Sequence, residues 1–290
     1  MKIAIVTGAS AGIGRATAIR LAKDFDGLVL VAREADELQK TAEEIRKIGG
    51  EMNPGAEMKR GSEAKPGSEA KSGSETKLGV EAKPAVETLT ITADLREVAA
   101  VDRVINETIA TFKRIDALIN IAGAVPQIHL FEMTDEQWND GAEMKLHGAR
   151  RLAIKAWPYL KESRGSVVFI SGNSAEDPKP GFAAVATINA AIVALAKAFA
   201  EQGIFDGVQV NSVLPGPVMT NRRINFLKKW SAANGLSMEE AKGKFLVDAH
   251  IERYGEPEEI AELMAFLVSP GARWLIGAAI RMDGGEIKGI

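Results

Sequence analysis

Seven short apolar runs divide the chain, and segments long enough to form helices lie between them. In chain order the runs read KIAIVTG, GLVLVA, TLTITADL, DALINIAG, GSVVFIS, VQVNSVLPG and GAAIRMDGG. Their near-continuous valine, isoleucine and leucine content is typical of strands that are covered on both faces. The alternation with helical segments predicts a doubly wound α/β fold, a seven-stranded parallel sheet with helices on both faces.

A period of six residues interrupts this alternation before the third strand. From Gly55 the chain reads GAEMKR, GSEAKP, GSEAKS, GSETKL and GVEAKP. Six residues advance a helix by about 600°, so the Glu and Lys rows spiral around it and form no continuous face. We therefore expect residues 51–87 to be a low-complexity, mostly disordered insertion in a single domain of residues 1–290. A partner-binding element or a helical hairpin is the alternative.

Composition excludes several classes of function. The net charge of −3 does not indicate the basic face that a general nucleic-acid binder needs. There is no cysteine, and the three histidines are not spaced as metal ligands, so no metal site is expected. Strand-like residues begin at Lys2, and no apolar run is expected to approach the ~20 residues that span a bilayer. We expect a cytoplasmic protein with no membrane partner.

A glycine-rich turn follows the first strand, where the chain reads TGASAGIGRATA. Gly8, Gly12 and Gly14 stand at a strand end that opens a helix. Glycines at this place allow a tight turn and let a phosphate approach the backbone N–H groups at the positive end of the helix. The motif predicts a dinucleotide site.

The end of the second strand bears on the choice of dinucleotide. An NAD site usually has an acid here for the ribose 2′-hydroxyl, but the chain reads VAREADEL, with Arg33 in the turn. An arginine can hold a 2′-phosphate with paired donors, which favours NADP over NAD. The alternative is that Arg33 is a solvated loop charge.

These motifs together resemble the short-chain dehydrogenase/reductase family. Further matching pieces are TADL, NIAG, VNSVLPGPVMT and the C-terminal region, so only residues 51–87 fall outside the likeness. The resemblance implies a Rossmann-type fold, hydride transfer between a nicotinamide cofactor and a carbonyl or alcohol, and a homodimer or homotetramer. It also implies cofactor contacts at Gly8, Ser10, Ala11, Gly12, Ile13, Gly14, Asp94, Leu95, Asn120, Ala122, Gly123, Pro215, Gly216, Val218 and Thr220. For Asp94 and Asn120, turn capping is the alternative.

The family's Asn-Ser-Tyr-Lys tetrad is not matched. Alignment of ATINAAIVALAKAFA with the family's helix puts Val185 at the tyrosine position and Asn189 at the lysine position. Gly172 falls at the serine position and Lys145 at the asparagine position. Valine cannot transfer a proton, and loss of a general acid typically costs ~10²–10⁴ in rate.

Lys145 and Asn189 nevertheless hold an amine and an amide in exchanged positions. The hypothesis is that Lys145 supplies a cation or, with its pKa lowered by burial, a proton. Ser171 or Ser174 would then orient a substrate carbonyl. The alternative is that Lys145 extends along its helix to solvent while Asn189 satisfies local backbone groups.

Three functions remain open on this basis. The first is an NADP(H)-dependent oxidoreductase with a non-standard active site. The second is an NADP(H)-binding sensor or scaffold without redox turnover, and a non-redox lyase or isomerase is a minor third. Residues 221–253 match the family's variable substrate lid. Their positive charges at Arg222, Arg223, Lys228 and Lys229 fit either an anionic substrate or a solvated helix face.

Overall fold

The computed structural model describes residues 1–51 and 85–289. In these ranges seven strands form one parallel sheet in the order β3-β2-β1-β4-β5-β6-β7, which confirms the predicted fold class. The strands are β1 (Ile3–Thr7), β2 (Gly27–Ala32), β3 (Glu87–Thr92), β4 (Ala117–Asn120), β5 (Ser166–Ile170), β6 (Gln209–Pro215) and β7 (Ala279–Met282). The prediction made for residues 51–87 falls mostly on residues 52–84, which lie outside the described residues.

Helices cover both faces of the sheet. In the described ranges they are α1 (Gly12–Leu21), α2 (Ala35–Glu51), α3 (Val98–Phe112), α4 (Asp135–Ala142), α5 (Gly148–Ser163), α6 (Ala183–Asp206), α7 (Asn221–Asn234), α8 (Met238–Ala249) and α9 (Pro257–Leu267). Helices α3, α5 and α6 pack on one face, and α1, α2 and α9 pack on the other. In β1, Ile3 and Ile5 enter the first core while Ala4 and Val6 enter the second. Burial on both faces explains the near-continuous apolar runs.

The strand order brings the carboxyl ends of β1 and β4 together at the middle of the sheet. The chain leaves β1 toward β2 on one side and returns to β4 on the other, so a crevice opens at this reversal. The Thr7 hydroxyl accepts hydrogen bonds from the backbone N–H groups of Ile121 and Ala122, at 2.9 and 3.0 Å. These bonds fix the loop after β4 beside the glycine turn.

The helical segment between β4 and β5 contains a π-helical turn. Helix α4 begins at a capping box formed by Thr134 and Gln137, the π turn spans Glu143–His147, and α5 continues from it. A π turn inserts an extra residue and changes the direction in which the following side chains project. Lys145 lies within this turn.

Helix α6 corrects one sequence expectation. Pro180–Asp206 is long and apolar enough, by length and composition only, to cross a membrane, with a hydropathy of 1.8. The expectation that no apolar run approaches that length was therefore wrong. Isolated polar residues such as Thr187 interrupt the run but leave its mean hydropathy high. In the fold, Ile188, Ile192 and Ala196 of this helix are buried within the protein.

Candidate functional site

The glycine turn after β1 leaves the first turn of α1 open. Gly8 and Gly12 adopt positive φ angles of 70° and 52°, which favour glycine. A Cβ on Gly14 would lie 2.0 Å from the Gly8 carbonyl oxygen, so only glycine fits between the turn and the helix. The residue that precedes the helix, Ala11, provides no side-chain cap. The first N–H groups of α1 are thus available to an anion.

A small cavity of about 140 Å³ lies beside this turn, at the ends of β2 and β3. Ser10, Arg33 and Leu95 line it, together with Gly8 and Ala122. The Arg33 side chain is 48% exposed and 3.7 Å from Glu34. Its charge can therefore move toward a ligand without leaving a buried partner unpaired.

Asp94 and Asn120 line neither this cavity nor the main cleft, and they differ in their hydrogen bonding. Asp94 accepts hydrogen bonds from the backbone and guanidinium of Arg96, and the side-chain bond lowers the pKa of the carboxyl. This is the turn-capping arrangement. Asn120 is 3% exposed, and neither atom of its amide group has a partner among the described residues. Unused hydrogen-bonding capacity therefore remains at the end of β4.

The main cleft has a volume of about 450 Å³ and lies across the carboxyl ends of the central strands. It brings together most of the site residues that were predicted from the sequence. Those that line it are Gly8, Ala11, Gly12, Ile13, Gly14, Ala122, Gly123, Lys145, Ser171, Ser174, Asn189, Pro215, Gly216, Val218 and Thr220.

The Lys145 side chain is buried within the wall of this cleft. It is 7% exposed, and its stem crosses Gly123, where an added Cβ would be 2.8 Å from the lysine Cγ. Its Nζ donates to the Ser171 carbonyl oxygen at 2.9 Å and to Asn189 Oδ1. The side chain does not run along its helix to solvent.

Burial, together with the nearby positive charge of Arg222, lowers the pKa of Lys145 to about 7. Both protonation states suit the hydrogen bonds just described. An ammonium group has three N–H donors and therefore keeps one after serving Ser171 and Asn189. A neutral amine serves the same two acceptors and keeps a lone pair. The amine can therefore release and recover a proton without rearrangement of its partners.

Asn189 connects this amine to the loop after β5. Its Nδ2 donates to Ser174 Oγ at 2.9 Å, so the Ser174 hydroxyl keeps its own proton for another acceptor. The Ser171 hydroxyl is buried and instead donates to the backbone carbonyl oxygen of Asn189 at 2.8 Å. A Cβ on Gly172 would lie 2.6 Å from Asn189 Nδ2. The amide thus occupies the space beside Gly172.

No tyrosine lines the cleft within the described residues. Val185 stands at its wall and packs in an apolar cluster with Val125 and Ile188. The only two tyrosines of the chain lie elsewhere: Tyr254 donates to the Lys242 carbonyl oxygen at 3.1 Å, and Tyr159 packs against the core. A proton for the cleft must therefore come from another group.

Helices α7 and α8 border the outer part of the cleft. Phe226 of α7 and Phe245 of α8 line it, with ring centroids 6.2 Å apart. Arg222 and Arg223 also line it, whereas Lys228 and Lys229 are exposed outside it. Sequence reasoning missed the two phenylalanines and Glu286. A lone aromatic or acid in a segment without a motif carries no signal that distinguishes a cleft position from a helix face.

Two family models match the chain. A family model described as enoyl-(acyl carrier protein) reductase matches residues 69–286, which is more than half of the chain. A second model, described as short chain dehydrogenase, matches residues 2–58. The chain is 27% identical over 286 residues to 3-oxoacyl-(acyl-carrier-protein) reductase of Staphylococcus epidermidis, with 98% of each chain covered.

Solved structures of reductases have the same fold. L-sorbose reductase from Gluconobacter frateurii, complexed with NADPH and L-sorbose, has a TM-score of 0.83 at 27% identity, with 100% of this chain and 97% of that chain covered. Actinorhodin polyketide ketoreductase with NADPH has a TM-score of 0.82 at 26% identity, with 98% and 97% covered. The chain belongs to the short-chain dehydrogenase/reductase family of oxidoreductases.

Proposed function

We propose that the protein is an NADP(H)-dependent oxidoreductase that interconverts a carbonyl and the corresponding alcohol through a non-standard active site. The observation that carries this proposal is the buried Lys145 amine, which faces the cleft with two fixed hydrogen-bond acceptors. It offers the cleft a proton, which Val185 cannot do. Asn189 and Ser174 complete the group of polar side chains.

The cofactor fits the residues present. The uncapped start of α1 and the open turn at Gly8 and Gly12 would hold its pyrophosphate. Arg33 would hold the 2′-phosphate at the end of β2, and the two structural relatives described above carry NADPH. Loop residues Pro215–Thr220 would border the nicotinamide. When bound, the cofactor supplies or accepts the hydride.

Lys145 would move the proton that accompanies the hydride. In carbonyl reduction its ammonium donates to the oxygen of the substrate, and in alcohol oxidation its neutral amine accepts the proton. A pKa of about 7 suits both directions at neutral pH, because catalytic acids work best with a pKa near the working pH.

Ser174 and Asn189 would position the reacting groups. The Ser174 hydroxyl keeps a proton to donate to the substrate oxygen, while Asn189 Oδ1 holds the Lys145 amine in place. Ser171 would act by fixing the backbone of α6, because its hydroxyl is already bonded there. Residues 221–253 would form the substrate lid. A homodimer or homotetramer in the cytoplasm remains part of the proposal.

Nucleotide titration followed by a turnover assay tests this function. We expect the protein to bind NADPH more tightly than NADH by fluorescence, and to oxidise NADPH with at least one member of a panel of ketones and aldehydes. Arg33→Met should weaken NADPH binding about 10- to 100-fold and leave NADH binding unchanged, because it removes only the 2′-phosphate contact. Arg46→Met, at an exposed position of α2, is the matched control.

Each failure has a distinct meaning. Tight NADPH binding without turnover across the panel contradicts the enzyme and favours the sensor. If neither nucleotide binds, both functions are wrong. If Arg33→Met binds NADPH as the wild type does, Arg33 is not the group that selects the cofactor.

A further inference from the structure

Besides Lys145, two arginines at the start of α7, Arg222 and Arg223, line the cleft. Arg222 donates from Nη2 to the Val125 carbonyl oxygen at 3.0 Å, which joins the lid to the loop after β4. Within residues 1–51 and 85–289, neither arginine forms an ion pair with a carboxylate.

Arg223 is the more unusual of the two. Its guanidinium carbon lies 5.2 Å from the Phe226 ring centroid and 4.7 Å from that of Phe245. Burial lowers the pKa of this guanidinium. Among the described residues its side chain has no hydrogen-bond partner, although the group has five N–H donors. The aromatic rings fix the position of the charge and leave these donors unused.

Two acids of the described residues line the cleft, and neither forms an ion pair or a hydrogen bond with Arg223, although the negative charge of Glu286 is near enough to raise the pKa of the guanidinium and partly offset the effect of burial. Glu286 accepts a hydrogen bond from Asn173, and Asp177 is paired with Lys179 at 2.9 Å. A partly buried cation without a bonded anion costs free energy, so a position of this kind favours an anionic ligand. A guanidinium presents a planar pair of donors, which matches the two oxygens of a carboxylate.

We propose that the substrate is a keto acid, or the matching hydroxy acid, whose carboxylate is bound by Arg223. Its carbonyl would reach Lys145 and Ser174 while its carboxylate pairs with the Arg223 guanidinium, which the Phe226 and Phe245 rings hold in position. This substrate class rests on the proposed function, since it uses the same cleft and the same reacting end. It assigns Arg223 the role of a specificity determinant.

Paired ligands that differ only in charge provide the test. The NADPH-loaded protein is titrated with levulinate, its next two longer homologues and the methyl ester of each, with the fluorescence of bound NADPH as the readout for binding and its oxidation as the readout for turnover. For at least one chain length, the acid should bind about tenfold or more tightly than its ester. Arg223→Met should reduce that preference to within about twofold, and Arg223→Lys should keep part of it.

Lys229→Met is the matched control, because it removes the same charge from an exposed position on the same helix and should leave the preference intact. Equal binding of acids and esters at every chain length by the wild type overturns the inference, as does a preference that survives in Arg223→Met. Loss of NADPH affinity in Arg223→Met also overturns it, since the arginine would then serve the cofactor. If the wild type does not bind NADPH at all, the proposed function itself has failed.

Discussion

At the scale of single residues, the polar centre of the cleft is a contact between side chains of two elements. Lys145 in the π turn supplies the amine, and Asn189 in α6 supplies the amide. The sequence alignment predicted the pair but not its contact, because side-chain reach depends on how the π turn directs Lys145. The choice between Ser171 and Ser174 was likewise open until the hydrogen bonds of each hydroxyl were known.

A substitution at Gly172 tests the importance of this contact. Gly172→Ala would place a Cβ 2.6 Å from Asn189 Nδ2, so the amide must move and release Ser174 or Lys145. We expect turnover to fall by about 10- to 100-fold, because small misplacements in an active site have effects of this order. The free energy of unfolding should change by less than about 1 kcal/mol, since alanine readily adopts the extended backbone present there.

Steady-state kinetics and urea unfolding of the variant measure the two effects. Gly181→Ala is the matched control, because nothing lies within 4 Å of an added Cβ at that position. Wild-type turnover in Gly172→Ala would show that the position of the Asn189 amide does not matter.

At the scale of elements, the strands and the glycine turn were the most predictable parts. Strands buried on both faces produce the apolar runs, and the turn after β1 needs glycine for steric reasons visible in the motif. The π turn was not predicted, because its residues have ordinary helical composition and its hydrogen-bond pattern leaves no mark on the sequence. The apolar composition of α6, which would also suit a membrane-spanning helix, was not recognised. A helix packed on a sheet needs much the same apolar content as a helix in lipid, so composition does not distinguish the two.

The glycine turn yields a prediction about the element that holds the cofactor. Gly14→Ala would place a Cβ 2.0 Å from a backbone oxygen of the same turn, so the turn and the start of α1 must separate. We expect NADPH affinity to fall by about 100-fold or more, since the N–H groups that receive the pyrophosphate lose their alignment. Fluorescence titration provides the measurement.

Gly243→Ala serves as the comparison. This glycine is exposed in α8 with nothing within 4 Å of an added Cβ, so alanine should stabilise the helix by about 0.5–1 kcal/mol and leave NADPH affinity unchanged. If Gly14→Ala binds NADPH like the wild type, the turn is not the pyrophosphate site.

At the scale of the whole molecule, the architecture follows from pattern, whereas the chemistry depends on contacts between distant segments. The alternation of strands and helices is enough to predict the parallel sheet and the crevice at the middle of its carboxyl edge. The pairing of Lys145 with residues after β5 and on α6, and the placement of Arg223 between two lid phenylalanines, join segments far apart in the chain. No local signal in the sequence encodes those distances.

The pH dependence of carbonyl reduction tests the central claim, that Lys145 donates the proton. Because burial lowers the lysine pKa to about 7, the ammonium is present below that pH and is lost above it. At saturating NADPH, kcat/KM for the carbonyl should be constant at acid pH and fall about tenfold per pH unit above about 7. Lys145→Arg keeps the charge but cannot release a proton near neutrality. Its kcat/KM should therefore be lower by about 100-fold or more, and should show no change of slope near pH 7. A flat wild-type profile up to about pH 9, or wild-type turnover in Lys145→Arg, would contradict the account.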